Sequence, residues 1–477
     1  MGYGNVKNEL EIQNMHIGMN MRFFMKKAMF FYLTLLFSVF FLSACADEIS
    51  IYVETPTAPQ RNESLSVFYI GEQKDSKLIN AALTRYQELY PDVEVELVRS
   101  EPDATNETRM ELYNQVAAQI MAGEGPDIFI IHDTVMDVEK LVRQGIFADM
   151  EPFFEADNFN WDPYNKTIMA GGMWNGRRYV IPLGYRFPLL ITSRTALEET
   201  GFIVDACKDY MGFLEETMRF MEDTTQTRRL FYGTVSVLDV LDYSDISIAD
   251  YDARTIDLSS PLLRSALSWQ ISILKKDQNW AYDITGGMYG AAAIRDGQAL
   301  WTTSLKGPLY SFYNDFGALK TLGEAVMMPI RDVNGGIQAK IDYPVAVRAN
   351  SENLQNAYNL IKILLSPDVQ YAVNLQQFSV LNSANEYFYR KAARGDTHFA
   401  MAGTNDFVST VDSYYAVDCP TTEEFQQLIG FTQEITGTYY SSHLDLYGAM
   451  SPFVRENADY EDAIKSAQQQ LEIYISE

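Results

Sequence analysis

Beyond position 64 the apolar residues change period repeatedly along the chain. Residues 65–70 form an apolar run closed by Gly71, which predicts a buried strand. Residues 76–89 place Leu78, Ile79, Leu83 and Tyr86 on one side of a helix, with Pro91 just past its end. Residues 93–98 alternate apolar and polar side chains as a strand does. A helix over 107–122 closes at Gly123, a third apolar strand covers 127–131, and a helix over 135–144 closes at Gly145. Strand and helix thus alternate three times. That is the pattern of parallel βαβ units, not of a bundle or a sandwich.

The pattern is less regular farther on. Strands are expected at 179–183 and 189–192, with Pro182, Gly184 and Pro188 punctuating the stretch. The pair reads either as one crossing between domains or as an ordinary loop. Helices are expected over 206–221, 262–276 and 287–295, with another beginning within 308–316. Strands are expected at 232–237, 299–303, 325–328 and 343–347. Asn334-Gly335-Gly336 signals a turn. Amphipathic helices follow at 354–365, 367–376 and 460–475. No repeat of 20–50 residues appears, which argues against a solenoid.

The start of the chain has a different character. The uncharged apolar run 28–42 follows Arg22, Lys26 and Lys27 and ends in small residues, the composition of a secretory signal. It is shorter than the ~20 apolar residues that span a bilayer. Leu42-Ser43-Ala44-Cys45 resembles the lipobox of bacterial lipoproteins. That resemblance implies cleavage before Cys45, diacylation of its thiol, and tethering to a membrane. Glu9 and Glu11 do not suit a signal, and Met21 or Met25 offers a better start. Residues 1–44 are therefore read as a signal peptide. Residues 45–63, with Glu54-Thr55-Pro56-Thr57-Ala58-Pro59, are read as a flexible tether.

The remainder of a 477-residue chain is long enough for two domains. A formal net charge of −27 and the lack of any basic stripe exclude nucleic acid and anionic membrane surfaces as partners. Cys207 and Cys419 either pair or remain free, and two cysteines make no framework. His16, His132, His398 and His443 are scattered, with no zinc spacing. No Gly-x-Ser-x-Gly, His-Glu-x-x-His or Walker motif is present, so neither an enzyme nor a cofactor or metal is expected.

Three segments together carry a more specific resemblance. They are Gly123-Glu124-Gly125-Pro126-Asp127-Ile128, then 141–150 (Leu-Val-Arg-Gln-Gly-Ile-Phe-Ala-Asp-Met), then Trp174-Asn175-Gly176-Arg177-Arg178-Tyr179-Val180-Ile181-Pro182. Their order and spacing resemble the extracellular solute-binding proteins of ABC importers, the family that includes maltose-binding proteins. The helix pair at 357–370 and the tail helix ending in Gln470-Leu471-Glu472-Ile473-Tyr474 are similar to later parts of that family. The similarity spans roughly 65–475.

The resemblance implies an α/β, two-lobe periplasmic-binding-protein-like fold. Each lobe would be a mainly parallel sheet flanked by helices, with a hinge between the lobes. Lobe one would hold 64–186 and 331–395, and lobe two 187–330 and 396–477. It also implies a monomeric receptor on the outer face of the cytoplasmic membrane, whose partners are a solute, an oligosaccharide first, and ABC permease subunits. Ligands in such folds sit at the carboxyl ends of parallel strands. Glu72 follows the first strand and Asp133 the third. Asp133 either accepts sugar hydroxyls or caps the helix at 135. Tyr185 would stack on a sugar. Arg186 would be either a charged clamp or an interlobe salt bridge. Trp174 and Trp301 are the best aromatic platforms, with Trp161, Trp280 and Tyr343 behind them. Asp127 precedes the core of its strand and is read as structural. Where many members carry Gly-x-Trp, this chain has Gly307-Pro308-Leu309, a departure that weakens a carbohydrate assignment against a peptide or charged solute. A surface adhesin would explain the tether but not the ordered strands and helices.

Overall fold

The computed structural model describes residues 64–69, 76–100, 105–131, 136–232, 242–277, 290–304, 316–320, 323–371, 377–393, 420–441, 444–456 and 458–476. They fall within one compact unit, Pro59–Glu477. Two main sheets, each flanked by helices, form two lobes, and a third sheet links them.

The first sheet runs in the order Glu94–Arg99, Ser64–Tyr69, Ile128–Ile130, Val345–Val347, Val180–Ile181. Its first three strands are parallel, since the helices Ser76–Leu89 and Asn106–Met121 return the chain between them. Its last two strands arrive later in the chain and pair antiparallel. Alternation along Ser64–Tyr69 sends Leu65, Val67 and Tyr69 to one core with Ile79 and Tyr86, and Phe68 to another with Val116 and Ile120. Both faces are covered, which is why the run reads as almost wholly apolar.

Asp127 ties the amino end of the parallel strands to the segment after Val345–Val347. Its carboxylate accepts from Ser66 N (2.9 Å), Ser66 Oγ (2.8 Å), Ser351 Oγ (2.6 Å) and Asn353 Nδ2 (3.1 Å). It has the structural role that its position predicted.

The second sheet runs Ala325–Pro329, Leu189–Ser193, Ala299–Ser304, Arg229–Tyr232. Only its last pair is parallel. The helices Tyr210–Glu222 and Pro261–Asp277 pack together beside it, joined by a hydrogen bond from Trp269 Nε1 to Thr217 Oγ1 of 2.7 Å.

The linking sheet runs Phe378–Ser379, Gly184–Arg186, Ile337–Asp342, Ile435–Tyr439. The chain leaves the first sheet at Val180–Ile181, passes through Gly184–Arg186, and enters the second at Leu189–Ser193. It returns from Ala325–Pro329 through Ile337–Asp342 to Val345–Val347. The two crossing strands pair antiparallel, Lys340 with Arg186 and Asp342 with Gly184. Tyr343, at a φ of 49°, breaks the return strand from its continuation in the first sheet. The last helix, Tyr460–Ser476, buries Ala463, Ala467, Leu471 and Ile475 against Leu263 and Leu267.

Several elements differ from the pattern-based expectation. The helix expected from 135 begins at Val138, because Asp137 caps it by accepting from Lys140 N at 3.0 Å. The helix expected from 206 begins at Tyr210, capped by Asp209, after a short 3-10 turn, Val204–Ala206. The strand Ile337–Asp342 was not anticipated. The expected strand at 232–237 and the helix start at 308–316 lie almost wholly outside the described residues. Among the described residues no helix is long and apolar enough to cross a membrane.

Candidate functional site

A cavity of about 410 Å³ lies where the two lobes meet the linking sheet. The first lobe contributes Asp137, Glu139, Gly171, Met173 and Trp174. The linking strands and the residues after them contribute Gln338, Thr438, Tyr439 and Tyr440. The second lobe contributes Asp242, Tyr251 and the stretch 245–249.

Local sequence explains how Trp174 reaches this wall. Met173–Trp174 and Arg177–Arg178 form a hairpin. Its Asn175-Gly176 turn has φ values of 51° and 78°, the left-handed pair that a tight hairpin of this twist requires. Gly172 leads into the hairpin, and a Cβ there would lie 1.9 Å from the Val180 carbonyl oxygen. Arg178, 4% exposed, anchors the base. It donates from Nε to Glu151 Oε2 (2.6 Å) and from an Nη to the Met169 carbonyl (2.7 Å). Its guanidinium lies 4.2 Å from the Trp161 ring centre, where cation–π attraction adds to the ion pair.

Trp174 is half-buried and stacks on Tyr440, with ring centres 6.0 Å apart and planes 24° apart. Tyr440 is held in turn by donating to the Gly171 carbonyl at 2.9 Å. Burial pushes its phenol well above the usual range, so the hydroxyl stays protonated. Around this aromatic pair the charged lining residues are all carboxylates. Burial first, and then the neighbouring Asp332, raise the Asp245 carboxyl above its ordinary value. A plate of fused and phenolic rings beside hydrogen-bond acceptors suits a ligand with an apolar face and a rim of hydroxyls.

Residues 71–209 match the family model of the bacterial extracellular solute-binding proteins. That match covers under a third of the chain, from the first crossover to the start of the second lobe. No curated protein matches it. Among solved structures, the sugar-binding protein MalE of the phytopathogen Xanthomonas citri has a TM-score of 0.58 at 12% identity, over 87% of this chain and 97% of that one. The GacH receptor of Streptomyces glaucescens, solved unliganded and with acarbose, has a TM-score of 0.52 at 13% identity, over 87% and 98%. Maltose-bound MalE3 of T. maritima has a TM-score of 0.51 at 16% identity, over 86% and 99%. At such identities these structures establish the shared fold alone.

Within this fold the residues nominated from sequence part company. Trp174 lines the cavity. Trp301 does not: it is fully buried in the second sheet, edge-on to Phe202 with ring centres 5.4 Å apart. Tyr185 is equally buried in the linking sheet, stacked on Phe378 at 5.3 Å, so it is a hinge-core residue and not a platform. Arg186 makes a bidentate pair with Asp342, Nε to Oδ2 at 2.5 Å and Nη2 to Oδ1 at 2.6 Å. Its salt-bridge alternative is therefore the one observed, and it joins the two crossing strands. Glu72, Asp133, Cys45 and Trp280 lie outside the described residues. Trp161 is committed to Arg178 and to Phe154 and Phe159. Tyr343 does not line the cavity.

Cys207 is a free, buried thiol that burial pushes up to about 12, which leaves it unreactive as a nucleophile. Among the described residues no group of three or more His, Cys, Asp and Glu is placed to hold a metal ion. Sequence reasoning missed Asp137, Asp245, Tyr251 and Tyr440. Asp137 carried a local signal, an aspartate directly before an apolar helix start. The others carried none.

Proposed function

We propose that this protein is a membrane-tethered receptor that binds an extracellular oligosaccharide in the interlobe cavity and delivers it to an ABC permease. The observation that carries the reading is the Trp174–Tyr440 stack set among carboxylates in a cavity of ligand size. The sugars named with the structural neighbours, maltose and acarbose, support the same class.

In this reading Trp174 and Tyr440 orient a sugar ring, and Asp137 and Asp245 accept its hydroxyls. Glu72 and Asp133 follow parallel strands of the first lobe and join them as acceptors. Lobe limits of 64–186 with 331–395, and of 187–330 with 396–477, accompany the proposal. The receptor is a monomer held on the outer face of the cytoplasmic membrane by lipid on Cys45, and it performs no catalysis.

Calorimetric titration of the full mature chain with linear and cyclic gluco-oligosaccharides tests the binding claim. One solute should bind at one site with no turnover, and Trp174→Ala should weaken it about tenfold, or about 1.4 kcal/mol. Binding of none of the sugars, together with tight binding of a peptide, would move the assignment to another solute. Cys45→Ala should abolish lipid labelling and leave the fold intact; unchanged labelling would refute the tether.

A further inference from the structure

We propose that a polar latch beside the cavity holds the two lobes closed even without solute, and that its strength sets the balance between open and closed forms. The inference rests on the two-lobe reading and not on the identity of the sugar.

Three residues of the first lobe, Asp137, Lys140 and Arg143, face three of the second, Tyr251, Asp252 and Tyr474. The Asp137 carboxylate is divided between two tasks. Its Oδ1 caps the helix Val138–Arg143. Its Oδ2 accepts from the Tyr474 hydroxyl at 2.8 Å and the Tyr251 hydroxyl at 3.5 Å. Lys140 Nζ donates to the Tyr474 carbonyl at 3.1 Å and lies 4.4 Å from the ring centre of the same residue. Arg143 pairs with Asp252 and lies 5.5 Å from the centre of the Tyr251 ring. Burial and then the Asp137 charge push both phenols above their usual range, so both keep the proton they donate.

Each half of the latch is positioned before the lobes meet. On the first lobe the cap fixes Asp137 and the helix fixes the spacing to Lys140 and Arg143. On the second, Asp250 accepts from the backbone of Asp252 and Ala253 at 3.0 and 2.8 Å, which shapes the turn that presents Tyr251 and Asp252. Tyr474 rides on the last helix, whose opposite face is buried against the Pro261–Asp277 helix. Two ready-made surfaces meet with little side-chain ordering left to do.

The lobes are joined through a linking sheet, and contacts that exist only when they are together favour the closed form by their own free energy. The solute then binds a protein already part-way closed, and its apparent affinity rises with the closed fraction. Asp137 and Tyr251 also line the cavity, so solute and latch share groups.

The test uses spin labels on the two lobes, at Gln87→Cys and Glu198→Cys, in a full chain carrying Cys45→Ser and Cys419→Ser. Both label positions are exposed, and Cys207 is buried. Electron–electron distances are measured without any sugar. The parent chain should show a dominant short distance. Tyr474→Phe removes one hydroxyl and should lower the closed-to-open ratio about tenfold. Asp252→Asn, at a side chain 81% exposed, breaks the Arg143 pair with little risk to folding and should shift the distances the same way. Distance distributions unchanged in both variants, or a parent chain that is entirely open, would overturn the latch. Neither outcome depends on whether a sugar binds, so failure of the sugar assignment would be read separately.

Discussion

Removal of the Arg186 guanidinium should cost stability and leave solute binding almost untouched. Arg186 and Asp342 sit on the two antiparallel crossing strands, 24% and 6% exposed respectively. Their contact is bidentate and charge-assisted, the geometry in which an arginine–carboxylate pair is strongest. Truncating Arg186→Ala withdraws that partner from a carboxylate that water cannot reach. Breaking a buried pair from one side typically costs about 3–5 kcal/mol. At about 2.1 cal/mol/K per residue, a unit of roughly 400 residues loses about 1.2 °C of Tm per kcal/mol, so the expected drop is about 4–6 °C. The double variant Arg186→Met with Asp342→Leu removes both charges and should regain part of the loss. Differential scanning calorimetry on the single and double variants measures this, and titration calorimetry follows sugar affinity in parallel. Affinity should change by less than about threefold, or about 0.7 kcal/mol. A variant that melts like the parent and loses most of its affinity would show that Arg186 grips the solute, and the structural assignment would be wrong.

Other outcomes follow from the same reasoning. Trp301→Ala should destabilise by about 3–5 kcal/mol, the usual cost of emptying a buried tryptophan site, with sugar affinity unchanged in the protein that remains folded; weakened binding at parental stability would reinstate it as a platform. Asp332 is 1% exposed and accepts from Asn334 N, Gly336 N, Gln338 Nε2 and Thr436 Oγ1. Asp332→Ala strands the two buried donors, Gly336 N and Gln338 Nε2, at about 1–3 kcal/mol each, as read by urea unfolding. Burial alone would raise the Asp332 carboxyl, but those hydrogen bonds outweigh it and hold it below the ordinary value of 3.8. Its contribution is therefore complete above that unfolded value and disappears as the pH falls through the lower folded one, so parent and variant should converge only in strong acid; convergence near neutral pH would contradict this.

What could be read from the sequence was whatever local periodicity encodes. The helices Ser76–Leu89 and Leu354–Leu365 were legible because one face of each is apolar and the other polar. The linking sheet was not, since its strands come from four distant stretches and two of them, Gly184–Arg186 and Phe378–Ser379, are only two or three residues long; Ile337–Asp342 does alternate as a strand, a signal left unused. Trp174 is nominated from sequence as an aromatic platform, and the Asn175-Gly176 turn fixes the hairpin that carries it. Its partner Tyr440 lies hundreds of residues away, and no local signal joins the two. Trp301 misled for a physical reason. Its strand is central and covered on both faces, so Trp301 and Thr302 are both buried and alternation no longer marks an inside and an outside. Arg186 lies on one of the crossing strands, and only the fold supplies Asp342 opposite it.

The most direct test is a crystal structure of the mature chain grown with the sugar that titration selects. The expected result is density for the sugar in the cavity between the lobes, one ring against the Trp174 indole beside Tyr440, with hydroxyls on Asp137 or Asp245. Sugar bound elsewhere, with the Trp174–Tyr440 wall empty, would contradict the assignment of this cavity as the binding site.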